Sequence, residues 1–421
     1  MSKKAKTQAM KKDGKAALEP KLRFPEFRDT PGWARRTLGN FLNERNEYPQ
    51  EPVPLYSLTI EDGVTPKTER YERAFLVKDA TDAYKLVLPE DFAFNPMNLR
   101  FGAIGRHSGS EAVAVSKYYN IFYCDPTSDA QFCELYFRSD AMIAFYDNMA
   151  IGSLIEKRRV HFSDFLKFEI PFPTLAEQQK IAECLSSVAE LIAAQARKVD
   201  ALKTHKKGLM QQLFPREGET QPRLRFPEFQ DAGDWKVRKA GSLFTNRKTK
   251  GEQGLPIYSV TMHDGMVRRD SLDRNYYDIE DASGNKMARK NDIAYNMMRM
   301  WQGAVGVAPE DCLVSPAYIV LAPAKGTDPD FFQFMFKLPT TLLILTAHSR
   351  GLTKDRLRLY FDDFARIPLP CPSFGEQQRI ADCLSSLEDL ITDETQKLDV
   401  LKTHKKALMQ QLFPSPAEVE A

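Results

Sequence analysis

The stretch Glu177 to Pro215, EQQKIAECLSSVAELIAAQARKVDALKTHKKGLMQQLFP, returns almost unchanged at Glu376 to Pro414 as EQQRIADCLSSLEDLITDETQKLDVLKTHKKALMQQLFP. The two copies are identical at 26 of 39 positions, at a constant offset of 199 residues. Both are rich in Ala, Leu, Glu, Gln and Lys, which favour helix. Each ends at a Phe-Pro, and proline disfavours helix in the residue before it. The sequence therefore predicts two long helices.

Apolar residues in each copy follow an alternating spacing of four and three. In the first copy they are Ile181, Leu185, Val188, Ile192, Val199, Leu202, Leu209 and Leu213, and in the second they are Ile380, Leu384, Leu387, Ile391, Leu398, Leu401, Leu408 and Leu412. Polar residues replace two steps of this pattern in each copy: Gln195 and Lys206, then Glu394 and Lys405. A sustained period of 3.5 residues is typical of a coiled coil, whose narrow apolar stripe needs a partner. We expect the helices to pair with each other, and the alternative is two ordinary amphipathic helices in one core.

Composition limits the class of protein. At 421 residues the chain is long enough for two to three domains, and its hydrophobic fraction of 43% is sufficient for buried cores. The sequence contains no run of 18 apolar residues. The basic residues 1–20 lack the apolar stretch of a secretory signal, so we expect a disordered arm. Six cysteines without CxxC spacing favour a reducing, cytoplasmic location over a zinc site or a disulfide framework.

The repeat extends beyond the helices. Residues 21–33, KLRFPEFRDTPGW, match residues 223–235, RLRFPEFQDAGDW, and residues 53–63 match residues 255–265, both at an offset of 202. The segments FNPMNLRFGAIG and YNMMRMWQGAVG match at an offset of 201. The chain is therefore a duplication in which a unit and a helix are followed by a second unit and a second helix.

The two units differ in character from the helices. Short apolar or aromatic runs such as PLYSLTI and AVGVAP are bounded by Gly, Pro, Asp and Asn, which indicates strands and turns. Helices are predicted at Ala130 to Asn148 and at Asp330 to Ala347, with Pro339 interrupting the second. We therefore predict an α+β domain in each unit.

The phrase LTKDRLRLYFDDFARIPLPCPSFGEQQRIADCL, followed by KLDVLKTHKKALMQQLF, resembles the end of a target-recognition domain running into the long helix of type I restriction-modification specificity subunits. The resemblance covers roughly residues 21 to 415. It implies two α+β target-recognition domains separated by two long antiparallel coiled-coil helices, with an internal twofold repeat. The expected segments are a basic arm (1–20), a first recognition domain (21–173), a first helix (174–215), a second recognition domain (216–372), a second helix (373–415) and a tail (416–421).

The resemblance also implies a function. The resemblance implies a protein that reads DNA without catalysing a reaction and binds a bipartite, asymmetric target in double-stranded DNA. Such a protein docks methyltransferase subunits, of which two are expected, and restriction subunits join through the complex. By this resemblance the chain binds no cofactor itself, whereas S-adenosylmethionine, ATP and magnesium are implied for its partner subunits. No membrane is involved.

Catalytic and phosphate-binding motifs give little support to an enzyme. A DNA amino-methyltransferase needs an Asn/Asp-Pro-Pro-aromatic turn. The nearest matches, Asn95-Pro96-Met97-Asn98 and Asn296-Met297-Met298-Arg299, lack the second proline and the aromatic residue. No GxxxxGK phosphate loop occurs. Two alternatives to a DNA reader stay open: a coiled-coil adaptor with two ligand-binding heads and no role on DNA, and a standalone methyltransferase.

Candidate DNA-binding residues lie beside turn glycines or in basic clusters. Most are Arg, Lys or Gln, whose side chains recognise bases and phosphates, and one His and one Trp lie beside them. For each cluster the alternative is a solvated charged face. The candidates are Arg100, Arg106, His107, Lys157, Arg158, Arg159, Arg289, Lys290, Arg299, Trp301, Gln302, Arg350, Lys354 and Arg356. We predict no catalytic and no metal-binding residue. Residues that are identical in the two copies should serve the scaffold, whereas base-reading residues should differ if the two half-sites differ.

The end of each long helix is rich in lysine. The first carries Lys203, Lys206 and Lys207, and the second carries lysines at the three equivalent positions, 402, 405 and 406. These residues have three interpretations: stabilisation of the helix dipole, contact with phosphate, or docking of a partner.

Overall fold

The computed structural model describes residues 19–67, 84–152, 158–272 and 282–414. The chain divides into two compact units: unit 1 comprises Met1–Ala194 and Leu398–Ala421, and unit 2 comprises Gln195–Lys397. The predicted arm falls almost wholly outside the described residues, and the predicted tail falls wholly outside them. Each unit contains the start of one long helix and the end of the other.

Unit 1 mixes short strands with helices. Its strands are β1 (Ala34–Thr37), β2 (Leu42–Arg45), β3 (Tyr56–Thr59), β4 (Gly63–Pro66), β5 (Tyr84–Val87), β6 (Phe92–Phe94), β7 (Ile104–Arg106), β8 (Val113–Ser116), β9 (Asn120–Cys124) and β10 (Glu169–Phe172). Its helices are α1 (Ala130–Phe137), α2 (Asp140–Met149), α3 (Phe162–Phe165) and the first part of α4 (Leu175–Leu213). The main sheet is antiparallel with the order β2-β9-β6-β7. Its buried Phe92, Phe94 and Phe122 share one core with aromatic residues of α1.

Unit 2 repeats this arrangement. Its strands are β11 (Lys236–Lys239), β12 (Phe244–Asn246), β13 (Ile257–Val260), β14 (Met266–Arg268), β15 (Lys286–Ala288), β16 (Ile293–Asn296), β17 (Val305–Val307), β18 (Cys312–Val314), β19 (Tyr318–Pro323) and β20 (Pro368–Cys371). Its helices are α5 (Ala240–Leu243), α6 (Pro329–Phe336), α7 (Pro339–Ala347), α8 (Phe361–Phe364) and the first part of α9 (Phe374–Leu412). The sheet β12-β19-β16-β17 corresponds to the main sheet of unit 1, and β14-β13-β18-β15 forms a second four-stranded sheet.

The helix predicted over Ala130 to Asn148 is divided into α1 and α2. The division falls at Ser139, whose hydroxyl accepts a hydrogen bond of 3.3 Å from the amide of Met142 and so caps the start of α2. Serine is a favoured N-cap, because its side chain satisfies an amide that the first turn leaves free. In unit 2 the same division is made by Pro339, which lies at the first position of α7.

The long helices α4 and α9 each contain 39 residues and end at the leucine before Phe-Pro, as predicted. All sixteen apolar positions of the predicted seam are buried or half-buried, and so are the four polar positions that interrupt it. Within unit 2, Gln195 contacts Glu394, whereas Lys206 contacts the earlier residue Glu388. The contacts run in opposite directions along the two helices, so the pair is antiparallel. In the described residues no helix has the length and apolar character needed to cross a membrane.

A buried carboxylate fixes the start of α4. Glu177 is 1% exposed and accepts two hydrogen bonds of 2.8 Å from the guanidinium of Arg23, one on each carboxylate oxygen. The indole nitrogen of Trp33 donates a third hydrogen bond of 3.1 Å to the same carboxylate. Charge-assisted, bidentate contacts of this kind are strong and geometrically specific. Glu177 thus attaches the N-terminal segment of unit 1 to the helix.

The same three-residue arrangement recurs at the start of α9. Glu376 is also 1% exposed, and it accepts hydrogen bonds of 2.7 and 2.8 Å from Arg225 and one of 3.1 Å from the indole of Trp235. The next residue has a repeated role as well. The side-chain oxygen of Gln178 accepts from the amide of Asp129, and that of Gln377 accepts from the amide of Asp328. The Glu-Gln pair that opens each long helix therefore joins it to the α+β domain of its unit.

A polar contact lies in the middle of the helix pair. The side-chain nitrogen of Gln195 donates hydrogen bonds to the backbone oxygen of Glu394, at 2.8 Å, and to its carboxylate, at 2.7 Å. Lys397 and Lys198 also contact this carboxylate, at 2.8 and 3.0 Å. A polar group in an apolar seam favours the one register in which it finds its partners. Gln195 and Glu394 are equivalent positions of the two copies, so this contact defines the centre of the pairing.

Replacement of Glu177 by Gln should destabilise unit 1. The variant keeps the shape of the side chain but leaves the buried guanidinium of Arg23 without its counter-charge, which typically costs about 3–5 kcal/mol. The measurement is the urea midpoint of the unit 1 transition, followed by circular dichroism. The matched control is Glu26→Gln, which removes an exposed ion pair of 3.6 Å with Lys180 and should cost under about 1 kcal/mol. Equal shifts in the two variants would contradict the role given to Glu177.

Glu394 should make the stability of the helix pair depend on pH. Hydrogen bonds from Lys397, Gln195 and Lys198 lower the pKa of its carboxyl from 4.5 to about 2. Folding therefore favours the ionised form, and its contribution is present above pH 4.5 and is lost as the pH falls towards 2. We expect Glu394→Gln to lower the melting temperature at neutral pH, with a difference from the native chain that shrinks over this range. In the control Glu190→Gln, an exposed position of α4, the difference should be small throughout; a constant deficit for Glu394→Gln would refute the prediction.

Candidate nucleic-acid interface

In each unit a tight turn follows one of the two central strands of the main sheet, β6 in unit 1 and β16 in unit 2. The turns contain the 3₁₀ helices Leu99–Phe101 and Met300–Gln302, which end at Gly102 and Gly303 with φ of 94° and 86°. These positive angles favour glycine because a Cβ would be strained there. The backbone therefore requires glycine at positions 102 and 303.

A basic loop lies beside each turn. In unit 1 the loop is closed by reciprocal backbone hydrogen bonds of 3.0 Å between Ile151 and Arg159. In unit 2 the equivalent residues, Arg350 and Arg358, make the same pair of bonds at 2.9 Å. We call the described residues 151, 152, 158 and 159 of unit 1, and residues 350–358 of unit 2, the basic loops. Both units thus present a short loop whose closing pair carries at least one arginine.

The turn and the basic loop are attached to one another in both units. The amide of Val160 donates to the backbone oxygen of Pro96 at 3.1 Å, and the amide of Leu359 donates to that of Met297 at 2.9 Å. Both bonds join the residue after the loop to the residue near the start of the turn. Two groups of candidates that are about 50 residues apart in sequence are therefore brought together in each unit.

In unit 1 the turn and the loop share a carboxylate. The guanidinium groups of Arg100 and Arg158 lie 3.4 and 3.5 Å from the same oxygen of Asp147. Arg158 also donates to the backbone oxygen of Ala150 at 3.1 Å, so both arginines are partly engaged in the scaffold. Arg159 is exposed. Lys157 lies outside the described residues.

Arg106 and His107 lie at the other end of the β6–β7 hairpin. Arg106 pairs with Glu90 at 2.6 Å and with Glu134 at 3.1 Å. His107 is 2% exposed, and one of its ring nitrogens lies 2.7 Å from the backbone oxygen of Glu111. Contact with a base by either residue would require these internal contacts to open.

In unit 2 the basic loop surrounds an open concavity of about 870 Å³. Its lining includes Met298 from the turn together with Arg350, Arg356, Arg358 and Tyr360. Two carboxylates, Asp355 and Asp362, also line it. Arg358 is not among the DNA-binding candidates identified from the sequence. The repeat offset of 199 from the candidate Arg159 could have identified it.

The arginines that line this concavity differ in whether another side chain of the unit pairs with them. The guanidinium of Arg350 lies 2.6 Å from Asp363, and the group is still 65% exposed. Arg356 and Arg358 are exposed. The side chain of Lys354 lies outside what the structure describes.

The unit 2 turn presents a different set of side chains from the unit 1 turn. Arg299 is exposed and donates to the side-chain oxygen of Gln302 at 2.9 Å. The indole of Trp301 is half-buried and donates to the backbone oxygen of Met298 at 3.1 Å. Trp301 occupies the position that Arg100 holds in unit 1. The two turns therefore have the same backbone conformation but carry side chains of different chemistry.

Arg289 and Lys290 lie apart from this group. They precede β16, whereas the turn follows it, so they are at opposite ends of that strand. Both are exposed. Their turn is held by the buried Asp292, which accepts a hydrogen bond of 2.9 Å from the amide of Arg289 and forms an ion pair with the half-buried Arg247. Within the described ranges no group of three or more His, Cys, Asp or Glu side chains is arranged to hold a metal ion.

Comparison with known proteins gives one consistent result. The family model for the type I restriction modification DNA specificity domain matches residues 140–204 and 232–403, which is more than half of the chain. A protein named as the MjaX type I restriction enzyme specificity subunit of Methanocaldococcus jannaschii is 24% identical over 302 residues, which cover 66% of this chain and 67% of that protein.

Two solved structures share the fold. The S subunit of a type I restriction-modification system from M. genitalium has a TM-score of 0.55 at 14% identity, covering 94% of this chain and 99% of that one. A chain solved in work on complex assembly and conformational transition of the type I R-M system has a TM-score of 0.54 at 17% identity, covering 92% and 98%. The predicted fold class is confirmed, and the chain belongs to the family of type I restriction-modification DNA specificity subunits.

Proposed function

We propose that this chain selects the DNA sequence on which a type I restriction-modification complex acts, by binding a bipartite, asymmetric target in double-stranded DNA. The observation that carries the proposal is the repeated pairing of a glycine-ended turn with a basic loop, held by equivalent backbone bonds in both units. Residues 21–173 would read one half-site and residues 216–372 the other.

Differences between the two turns support an asymmetric target. Residues that are equal in both units, such as Gly102 and Gly303, serve the backbone. At equivalent positions where the chemistry changes, unit 1 has Arg100 and unit 2 has Trp301. Arginine favours guanine edges and phosphates, whereas an indole offers apolar contact and one donor. Two half-sites of different sequence would follow from such a change.

Exposed arginines of the basic loops supply the sequence-independent part of the affinity. Arg159 in unit 1 and Arg356 and Arg358 in unit 2 are exposed. The bridges that close the loops fix the backbone of Arg159 and Arg358. Phosphate contacts of this kind position a protein on the duplex, and base contacts then specify the sequence.

Catalysis is proposed to belong to other subunits. We infer that the chain itself is non-catalytic and docks methyltransferase subunits, two per chain, with restriction subunits joining through the complex. S-adenosylmethionine, ATP and magnesium would then be bound by those partners. Membership of the specificity family supports this division of labour.

The helix pair is proposed to set the spacing of the two half-sites. At about 1.5 Å per residue, each 39-residue helix spans more than one turn of B-DNA, which is about 34–36 Å. A spacer of several base pairs, which the protein does not read, would therefore separate the half-sites.

Lengthening both helices should lengthen this spacer. Four residues inserted between Arg197 and Lys203, and four between Gln396 and Lys402, add about 6 Å to each helix. Because B-DNA rises about 3.4 Å per base pair, the spacer should grow by about one or two base pairs with both half-sites unchanged. Mapping of methylated sites in cells that express the variant with its methyltransferase subunits measures both quantities. The control exchanges four exposed residues of the same stretches, Asp200, Ala201, Asp399 and Val400, without insertion. Changed half-sites with an unchanged spacer would contradict the proposal.

Charge reversal in the basic loops should weaken DNA binding and reduce its salt dependence. Arg159→Glu and Arg358→Glu change equivalent positions of the two units, and each lost phosphate contact should reduce the slope of log K against log salt by about 0.9. The measurement is a salt titration of binding to a duplex that carries the mapped target, using the chain with its methyltransferase subunits. Lys167→Glu is the control, because Lys167 is exposed and belongs to no candidate cluster. An unchanged slope in both loop variants would assign these arginines to a solvated face.

A further inference from the structure

Arg350 and Arg358 face each other across the bridge that closes the basic loop of unit 2. They exchange two backbone hydrogen bonds of 2.9 Å, and the side chains of residues paired in this way leave the same face of the backbone. Like charges at directly opposed positions destabilise such a pair. In unit 1 the equivalent residues are Ile151 and Arg159, so this repulsion is confined to unit 2.

Asp363 holds the side chain of Arg350 in place. One carboxylate oxygen lies 2.6 Å from the guanidinium, whose carbon atom lies 5.9 Å from the ring centre of Tyr360. The side chain of Arg350 is still 65% exposed. The backbone bridge and these two contacts therefore orient Arg350 while its guanidinium stays open to solvent.

The surroundings of Asp363 are unfavourable for a carboxylate. The residue is 9% exposed, and its second oxygen is buried without a hydrogen-bond partner in the part of the chain that the structure describes. A buried charge with so few hydrogen bonds lowers the stability of the fold. Departures of this kind from the requirements of folding are typical of functional sites. A role in fixing Arg350 for a ligand accounts for the position of Asp363.

The remaining donors of Arg350 suit a neutral acceptor better than a phosphate. A guanidinium has five N–H donors, and Asp363 engages one of them. Because Asp363 neutralises the charge, and Asp355 and Asp362 also line the concavity, a phosphate gains little attraction at this position. Guanine presents two uncharged acceptors, O6 and N7, on its major-groove edge, and these match two N–H donors of one arginine.

We propose that Arg350 recognises one guanine in the half-site bound by unit 2, and that Asp363 is the positioning residue for this contact. This assignment rests on the proposed function, because unit 2 must bind DNA for Arg350 to reach a base. Unit 1 has Ile151 at the equivalent position, so it cannot make the same contact. Arg358, which forms no ion pair with a described residue, keeps the phosphate contact proposed for the basic loops.

The test uses the full chain with its methyltransferase subunits and a duplex that carries the mapped target. Each guanine of the target is replaced in turn by 7-deazaguanine, which still pairs with cytosine but lacks the N7 acceptor. For one guanine, this replacement should weaken binding by the native complex by about tenfold. Arg350→Met keeps the length of the side chain but has no N–H donor, so this variant should bind the two duplexes equally.

Asp363→Asn tests the positioning role. An amide makes a weaker hydrogen bond to a guanidinium than a carboxylate does, so the tenfold effect at this guanine should fall to about threefold. A loss of stability alone would weaken binding to both duplexes equally and leave their ratio unchanged. Circular dichroism melts establish that each variant is folded.

The matched control is Asp164→Asn at the equivalent position of unit 1. Asp164 pairs with Lys167 at 3.0 Å, and no arginine occupies the position of Arg350 in that unit. This variant should keep the native effect at every guanine. An unchanged tenfold effect in Asp363→Asn would overturn the role of Asp363.

A salt titration separates a base contact from a phosphate contact. The slope of log K against log salt should be the same for Arg350→Met and the native chain, whereas a lost phosphate contact would reduce it by about 0.9. A slope reduced by this amount would overturn the contact with guanine. So would equal effects of 7-deazaguanine in Arg350→Met and in the native chain at every position.

Failure of the proposed function gives a different result. If the native complex binds the mapped target no more tightly than a random duplex, unit 2 reads no half-site and both proposals are overturned. If the complex binds the target tightly but the effect of no guanine replacement depends on Arg350, DNA recognition stands and only the assignment of Arg350 is overturned.

Discussion

The structure depends on a buried carboxylate at the start of each long helix. Glu177 and Glu376 are each 1% exposed. Each pairs with one arginine and accepts a hydrogen bond from one indole nitrogen, both from a segment about 150 residues earlier. Burying such a charge is costly unless its partners are fixed. The arrangement therefore couples three things: the entry of the chain into the unit, the direction of the helix, and, through the following glutamine, the start of the first helix of the domain.

The long helices connect this local constraint to the duplication. Their apolar stripe is shared between two tasks, because one end of each helix packs in the core of its own recognition domain while other positions meet the partner helix. Ile181 and Leu185 lie in the same core as Leu412 of the other helix. The hydrogen bonds of Gln195 to Glu394 add a polar contact in the middle of the pair that other registers would break. Apolar burial thus supplies stability, and the polar contact supplies register.

Duplication conserves the scaffold while it lets the surface diverge. The glycine-ended turns and the bridged loops have the same backbone in both units, yet Arg100 is replaced by Trp301 within the turn. The helix ends diverge in the same way, since Glu388 faces Lys206 in one unit and Ala189 replaces it in the other. A single fold can in this way carry two turns whose side chains differ in chemistry.

The sequence by itself determined the duplication, the two long helices, their ends and the α+β character of the units, because these follow from repeats, apolar period and proline positions. It also located the turn and the basic clusters as separate candidates. Only the tertiary structure decided that Arg100 and Arg158 share Asp147, that His107 is buried, and that Arg289 lies at the opposite end of its strand from the turn. The reason is physical: periodicity records which side of an element is buried, whereas a contact between residues 50 or 150 positions apart depends on how the elements pack.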